Sequence, residues 1–92
     1  MKTQTTRAWE VYIIETVSGK FYTGITNDLE KRFANHQNHQ GGARFFYFSS
    51  PLKIVYRESH INRSEASKRE CAIKKMSRKA KLILINSFSV SV

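Results

Sequence analysis

From Trp9 to Thr16 the side chains alternate, with Trp9, Val11 and Ile13 on one face and Glu10, Tyr12 and Ile14 on the other. That two-residue period is the signature of a β-strand. Ser18-Gly19 marks a turn, and Lys20 to Thr23 returns as a second strand. The loop length decides which side chains meet. A three-residue loop, Ser18-Gly19-Lys20, sets even-numbered residues opposite even-numbered ones and projects Tyr12 and Tyr22 from the same side, whereas a two-residue turn puts them on opposite faces. The longer loop is the expectation. The chain then makes a tight exit through Gly24, and Asn27 followed by Glu30 reads as a capping-box-like start to a helix from about Asp28 to Asn38. In that helix Leu29, Arg32, Phe33 and His36 fall at i, i+3, i+4 and i+7, so Arg32 and His36 stand at the margin of the face that Leu29 and Phe33 bury.

Residues His39 to Pro51 read as a loop that opens with Gly41-Gly42 and turns aromatic at Phe45, Phe46, Tyr47 and Phe48, just after Arg44. Such a loop suits stacking on bases beside a phosphate contact, and equally suits folding back into the core. Leu52 to Ser59 resumes strand character. Asn62 to Glu65 opens a helix to about Lys75 whose apolar sector is Ala66, Ala72, Ile73 and Met76. Ser77 caps a last helix through Leu82-Ile83-Leu84-Ile85, although that apolar run also fits a strand, and Ser87 to Val92 declares neither state. The order strand, strand, helix, strand, helix, helix, begun by a hairpin, predicts an α+β sandwich with a small, mostly antiparallel sheet.

Composition then narrows the chemistry. At 92 residues and 40% apolar content the chain builds one domain (1–92) around one modest core. No stretch is long and apolar enough to span a bilayer, and the N-terminus lacks a signal-peptide pattern. The single cysteine, Cys71, excludes an internal disulfide and a Cys/His metal site, which fits a cytoplasmic setting. Sixteen Lys and Arg against seven Asp and Glu leave a net charge of +9, of which +2 lies in residues 1–50 and +7 in 51–92. A small basic chain of this kind points to a polyanion, with Arg32, Arg44, Lys68, Arg69, Lys74 and Lys75 as candidate phosphate contacts.

A few side chains stand out against that background. Glu70 lies one turn after Ala66 at the edge of an apolar sector, where a carboxylate pairs with a cation or holds a metal ion. Tyr12, Tyr22 and Tyr56 fall on predicted strands, where tyrosine commonly buries its ring and wets its hydroxyl. His36 at the end of its helix can simply oppose the dipole, and His39 and His60 read as surface residues. The three histidines do not form a metal constellation.

The ordered set Val11-Tyr12-Ile13, Tyr22-Thr23-Gly24, Arg32, His36 and Glu70 resembles the GIY-YIG nuclease superfamily, and most of all its small stand-alone single-domain members. The phrases from Phe21 to Arg32 and from Arg63 to Glu70 carry the likeness, which extends from about Trp9 to Ile85. The resemblance implies a three-stranded antiparallel sheet flanked by three helices, and one divalent cation, Mg²⁺ or Mn²⁺, on a glutamate. It also implies hydrolysis of DNA phosphodiester bonds in repair, recombination, restriction or intron homing. Carried over, Tyr12 and Tyr22 match the two signature tyrosines, Arg32 the arginine of the next helix, His36 a histidine of part of the superfamily, and Glu70 the metal-binding glutamate. Glu10 stands where glycine is usual, Thr23 replaces the central isoleucine, and Phe46 and Phe48 occupy a region usually basic and polar. The resulting expectation is a monomeric, metal-dependent endonuclease or nickase on nicked, branched or single-stranded DNA, with RNA left open. Tyr22 is the choice of general base, with Tyr12 and His36 as the other candidates. The rival is a non-cleaving nucleic-acid-binding module of the same fold.

Overall fold

The computed structural model describes residues 8–37 and 49–90. Its elements follow in the order β1 (Trp9–Thr16), β2 (Phe21–Thr26), α1 (Leu29–Gln37), β3 (Pro51–His60), α2 (Arg63–Lys74) and α3 (Arg78–Val90). The strands form one antiparallel sheet in the order β2-β1-β3. The first strand is therefore central, and its run Val11 to Ile14 is buried on both faces. The alternation read from the sequence sorts these residues into two clusters. Val11 and Ile13 join Tyr56, Ala66, Ile73 and Ile85 under α2 and α3, while Tyr12 and Ile14 join Leu29, Tyr22, Phe33 and Ile54 under α1. The expected α+β sandwich of three strands and three helices is present.

The hairpin has the expected parity but a different loop. Tyr12 pairs with Gly24 and Ile14 with Tyr22, even with even. The three loop residues are Val17-Ser18-Gly19, one position earlier than expected, because Thr16 N–H bonds to the Lys20 carbonyl at 2.9 Å and Gly19 N–H to the Thr16 carbonyl at 2.9 Å. Gly19 supplies the left-handed residue (φ 85°) that closes such a loop. The strand also runs on to Thr26, so Gly24 is not an exit from it.

Two further expectations change at helix ends. The α1 cap is Asp28, one residue after the expected Asn27. Asp28 Oδ1 accepts from Lys31 N–H at 3.4 Å, and Asp28 N–H donates to Thr26 Oγ1 at 3.1 Å. Asn62 caps α2 as expected, its side chain accepting Glu65 N–H at 2.9 Å, and Ser77 Oγ caps α3 through Ala80 N–H at 3.1 Å. The apolar run Leu82 to Ile85 is helical, with Ile85 buried and Ile83 62% exposed. Only part of that run reaches the core, as a helix requires and a strand does not. In α2, Ala66 and Ile73 are buried but Ala72 is exposed, since it lies beyond the narrow stripe that faces β1 and β2.

Candidate active site

The site grows from one cross-strand pair. Tyr12 and Gly24 face each other across β1 and β2, and an added Cβ on Gly24 would lie 2.6 Å from Tyr12 Oη and 3.1 Å from the Tyr22 ring. The missing side chain is what lets the Tyr12 ring lie down across β2, beside that of Tyr22. The two ring centroids are 6.2 Å apart.

The helix completes the group. Burial of Leu29 turns α1 so that Arg32 and His36, one turn apart, both meet Tyr12. His36 is 2% exposed, and its Nε2 lies 3.1 Å from Tyr12 Oη. The His36 ring meets Tyr22 edge to face at 5.4 Å between centroids. Arg32 hydrogen-bonds the Tyr12 oxygen from the other side, and outward it lines a small polar hollow of about 210 Å³ with Thr26, Asn27, Asp28, Lys31 and Asn35.

Protonation states follow from this enclosure. Burial, and next the neighbouring Tyr22, push the Tyr12 phenol up to about 12, against the hydrogen bond and charge of Arg32, which pull it down. Burial and then the Arg32 charge push His36 down to about 4. At neutral pH the imidazole is therefore uncharged, and the phenol keeps its proton within the 3.1 Å contact to Nε2. Tyr12 is held as an oriented phenol, and its proton is not poised to leave.

Glu70 comes to the same place from α2. Its charge acts on Tyr12, its side chain is 21% exposed, and Lys74 Nζ lies 3.3 Å from its carboxylate. That helix is pinned to β3 by a second polar cluster: Glu58 accepts from the Tyr56 hydroxyl, from His60, and from Arg69 Nε at 2.9 Å. His60 is accordingly half-buried, not the surface residue its sequence position suggests.

Among the described residues no three His, Cys, Asp or Glu side chains gather to hold a metal ion. The donor set nevertheless fits one magnesium-like cation, which keeps most of its water and takes as little as one carboxylate plus substrate phosphate.

The sequence-predicted residues thus divide. Tyr12, Tyr22, Arg32, His36 and Glu70 share one locality. The expected phosphate contacts are not one patch: Lys68 pairs with Glu65 at 3.3 Å, Arg69 turns inward to Glu58, Lys74 sits on Glu70, and Lys75 caps α2. Arg44, the aromatic segment 45–48 and His39 lie outside the described residues. Sequence reasoning missed Arg57, which faces Tyr12 from β3 and holds Glu10 with two bonds of 2.8 Å, with Glu30 of α1 at 3.4 Å. The glutamate at the usual glycine position is thus one half of a fork-to-fork ion pair beside the site. Only the β1–β3 register reveals it.

A family model described as the GIY-YIG catalytic domain matches residues 8–83. The chain belongs to the GIY-YIG family. Among its relatives is a UPF0213 protein of Desulfotalea psychrophila, 44% identical over 80 residues that cover 87% of this chain and 73% of that protein. A UPF0213 protein of Staphylococcus saprophyticus is 43% identical over 76 residues, covering 83% of this chain and 92% of the other. The solution NMR structure of a UPF0213 protein from Bacillus halodurans superimposes with a TM-score of 0.58 at 28% identity, covering 90% of this chain and 87% of that one. The two tyrosines that the sequence resemblance matches to the family signature, Tyr12 and Tyr22, are those whose rings lie beside Gly24. No helix among the described residues is long and apolar enough to cross a membrane.

Proposed function

We propose that this chain is a metal-dependent endonuclease or nickase that hydrolyses phosphodiester bonds of DNA, as in repair or recombination, in the cytoplasm and as a monomer. The observation that carries the reading is the convergence of Arg32 and His36 on Tyr12, with the charge of Glu70 reaching the same phenol. Phosphodiester hydrolysis needs an in-line water, compensation for the charge gained at phosphorus, and help for the leaving oxygen.

Arg32 answers the second need. Its guanidinium already interacts with Tyr12, it forms no ion pair among the described residues, and its planar fork suits a phosphate oxygen. Neutral His36 bonds to the Tyr12 hydroxyl, and Tyr12 orients Arg32 and the water without itself accepting a proton. Tyr22 is only half-buried and lies beside both groups, which supports it, once its own proton has passed to solvent, as the phenolate base that takes the proton of the water. Glu70 would hold Mg²⁺ or Mn²⁺, which would neutralise charge on the leaving oxygen. Arg44, Lys68, Lys74 and Lys75 are the proposed backbone contacts beyond Arg32, while the inward turn of Arg69 removes it from that role.

A second reading has its own observation. Lys74 already neutralises the Glu70 carboxylate, as in a module that grips nucleic acid without cutting it. The purified protein incubated with nicked, branched and single-stranded DNA and Mg²⁺ or Mn²⁺ separates the two. Metal-dependent cutting that disappears in both Glu70→Ala and Arg32→Ala supports the nuclease, and unchanged cutting by Glu70→Ala removes the metal assignment. Salt-sensitive binding with no cutting under either metal supports the module.

A further inference from the structure

On the opposite face of the sheet from Tyr22, the start of β2 and the start of α3 enclose a cavity of about 280 Å³ lined by Lys20, Phe21, Arg78 and Lys81. Three cations and one aromatic ring line this open hollow. Arg78 is set in place twice, its guanidinium 4.6 Å from the centroid of the Phe21 ring and its Nη2 donating to the Gly19 carbonyl at 3.1 Å. Lys81 follows Arg78 by three residues and so shares its side of α3. No carboxylate among the described residues lines this hollow, although Glu15 stands opposite Phe21 in the β1–β2 register. Glu10, Glu15, Glu30, Glu58, Glu65 and Glu70 each pair with a cation elsewhere, and Asp28 is the α1 cap.

Lys20 and Lys81 stand beside that fixed guanidinium with no carboxylate in the lining, so an anion entering the hollow would relieve their mutual repulsion. A stacked guanidinium and two ammonium groups match the oxygens of a phosphate, with the first supplying a planar fork and the others point charges. We infer that this cavity is a second phosphate-binding subsite, which grips the backbone of the nucleic-acid strand away from the cleavage position. The inference rests on the nucleic-acid reading of the Tyr12–Arg32 site and extends it.

Placement supports the strand over a free anion. Phe21 and Tyr22 are neighbours that point to opposite faces of β2, and β2 is an edge of the sheet. A strand passing around that edge touches the site on one face and the cavity on the other. From Lys20 to Gly24 the β-strand advances about 13 Å, or roughly four nucleotides of duplex rise. The anchored phosphate would therefore sit about that far from the cut.

The test is binding of a fluorescein-labelled DNA duplex to the full chain in EDTA, followed by anisotropy between 50 and 300 mM salt. It compares wild type, Lys20→Gln/Lys81→Gln and Lys53→Gln, whose lysine pairs with Glu15 on another strand. The double variant is expected to lower the slope of log K against log salt by about 1.8 and to weaken binding by roughly tenfold at 0.1 M salt, while Lys53→Gln moves the slope by less than about 0.5. Wild-type binding intact with equal slopes per charge removed in both variants would overturn the subsite. Amide shifts at Gly19, Phe21 and Lys81 add a second readout. If inorganic phosphate moves them and the duplex does not, the cavity takes a free anion and the strand assignment is overturned. If wild type fails to bind DNA in EDTA at any salt, the nucleic-acid reading beneath the inference is what fails.

Discussion

Replacing His36 with glutamine keeps an acceptor for the Tyr12 hydroxyl and removes the titratable ring. In the folded chain His36 is pushed down to about 4, first by burial and then by Arg32, whereas the unfolded imidazole sits at its ordinary 6.5. Between those two values the unfolded chain binds a proton that the folded chain refuses, so acidification through the window favours unfolding. Stability from the neutral imidazole is fully present above pH 6.5 and is lost progressively down to pH 4. The gap corresponds to about 3 kcal/mol, which for a domain of this size is roughly 10 to 20 °C in Tm. Glu58 is shifted in the same direction: burial pushes it up, but bonds from Tyr56, His60 and Arg69 outweigh that and hold it below the usual carboxylate range. Its contribution is lost as pH falls below its unfolded value, in both proteins alike, and cancels in the difference. Urea unfolding at half-unit intervals from pH 4 to 8 is the measurement. Wild type should lose up to about 3 kcal/mol more than His36→Gln between pH 6.5 and 4. Parallel curves would mean that His36 titrates as an open imidazole, and the enclosed Tyr12–His36 pair would be refuted.

Three other outcomes follow from the same geometry. Gly24→Ala drives a Cβ to 2.6 Å from a phenol that is fully buried, and should cost about 1 to 3 kcal/mol; a cycle with Tyr12→Leu should show that cost shrinking, and strictly additive costs would disprove the contact. Thr23 is 4% exposed and its hydroxyl finds no partner among the described residues, so Thr23→Val should raise Tm by a few degrees, about 1 kcal/mol, and a fall in Tm in thermal unfolding would show the hydroxyl to be bonded. Arg32→Lys keeps the charge but loses the fork, so single-turnover cleavage should fall about a hundredfold with Tm within a few degrees; cleavage reduced less than about threefold would take Arg32 out of phosphate stabilisation.

Much of the fold was legible because its rules are local. The two-residue period of Trp9–Thr16 named both faces of β1 correctly, and Asn62 and Ser77 cap their helices as their side chains predict. The i, i+4 spacing of Arg32 and His36 placed both on the face that meets Tyr12. The misses lie where neighbours along the chain offer equal choices. Asn27 and Asp28 are both good caps, and the bond from Asp28 to Thr26 Oγ1 accompanies the second choice. By contrast, the helix read through Leu82 to Ile85 is present although that run also fitted a strand, and Ile85 joins Tyr56 and Ile73 in the core. His36, whose sequence position suggested a helix-end cation, is instead a buried neutral partner of Tyr12.

By itself the sequence determined the element order, the parity of the hairpin, the family and the ordered set Tyr12, Tyr22, Arg32, His36 and Glu70, because period, cap chemistry and motif spacing are properties of the chain alone. Only the tertiary structure decided that Gly24 serves to admit the Tyr12 ring, that Arg69 pairs with Glu58, and that Lys20, Arg78 and Lys81 share one cavity. Those facts depend on which strand pairs with which residue, and on which charges lie near each other after folding. Residues 20 and 78 are distant in sequence, and electrostatics and desolvation act through space.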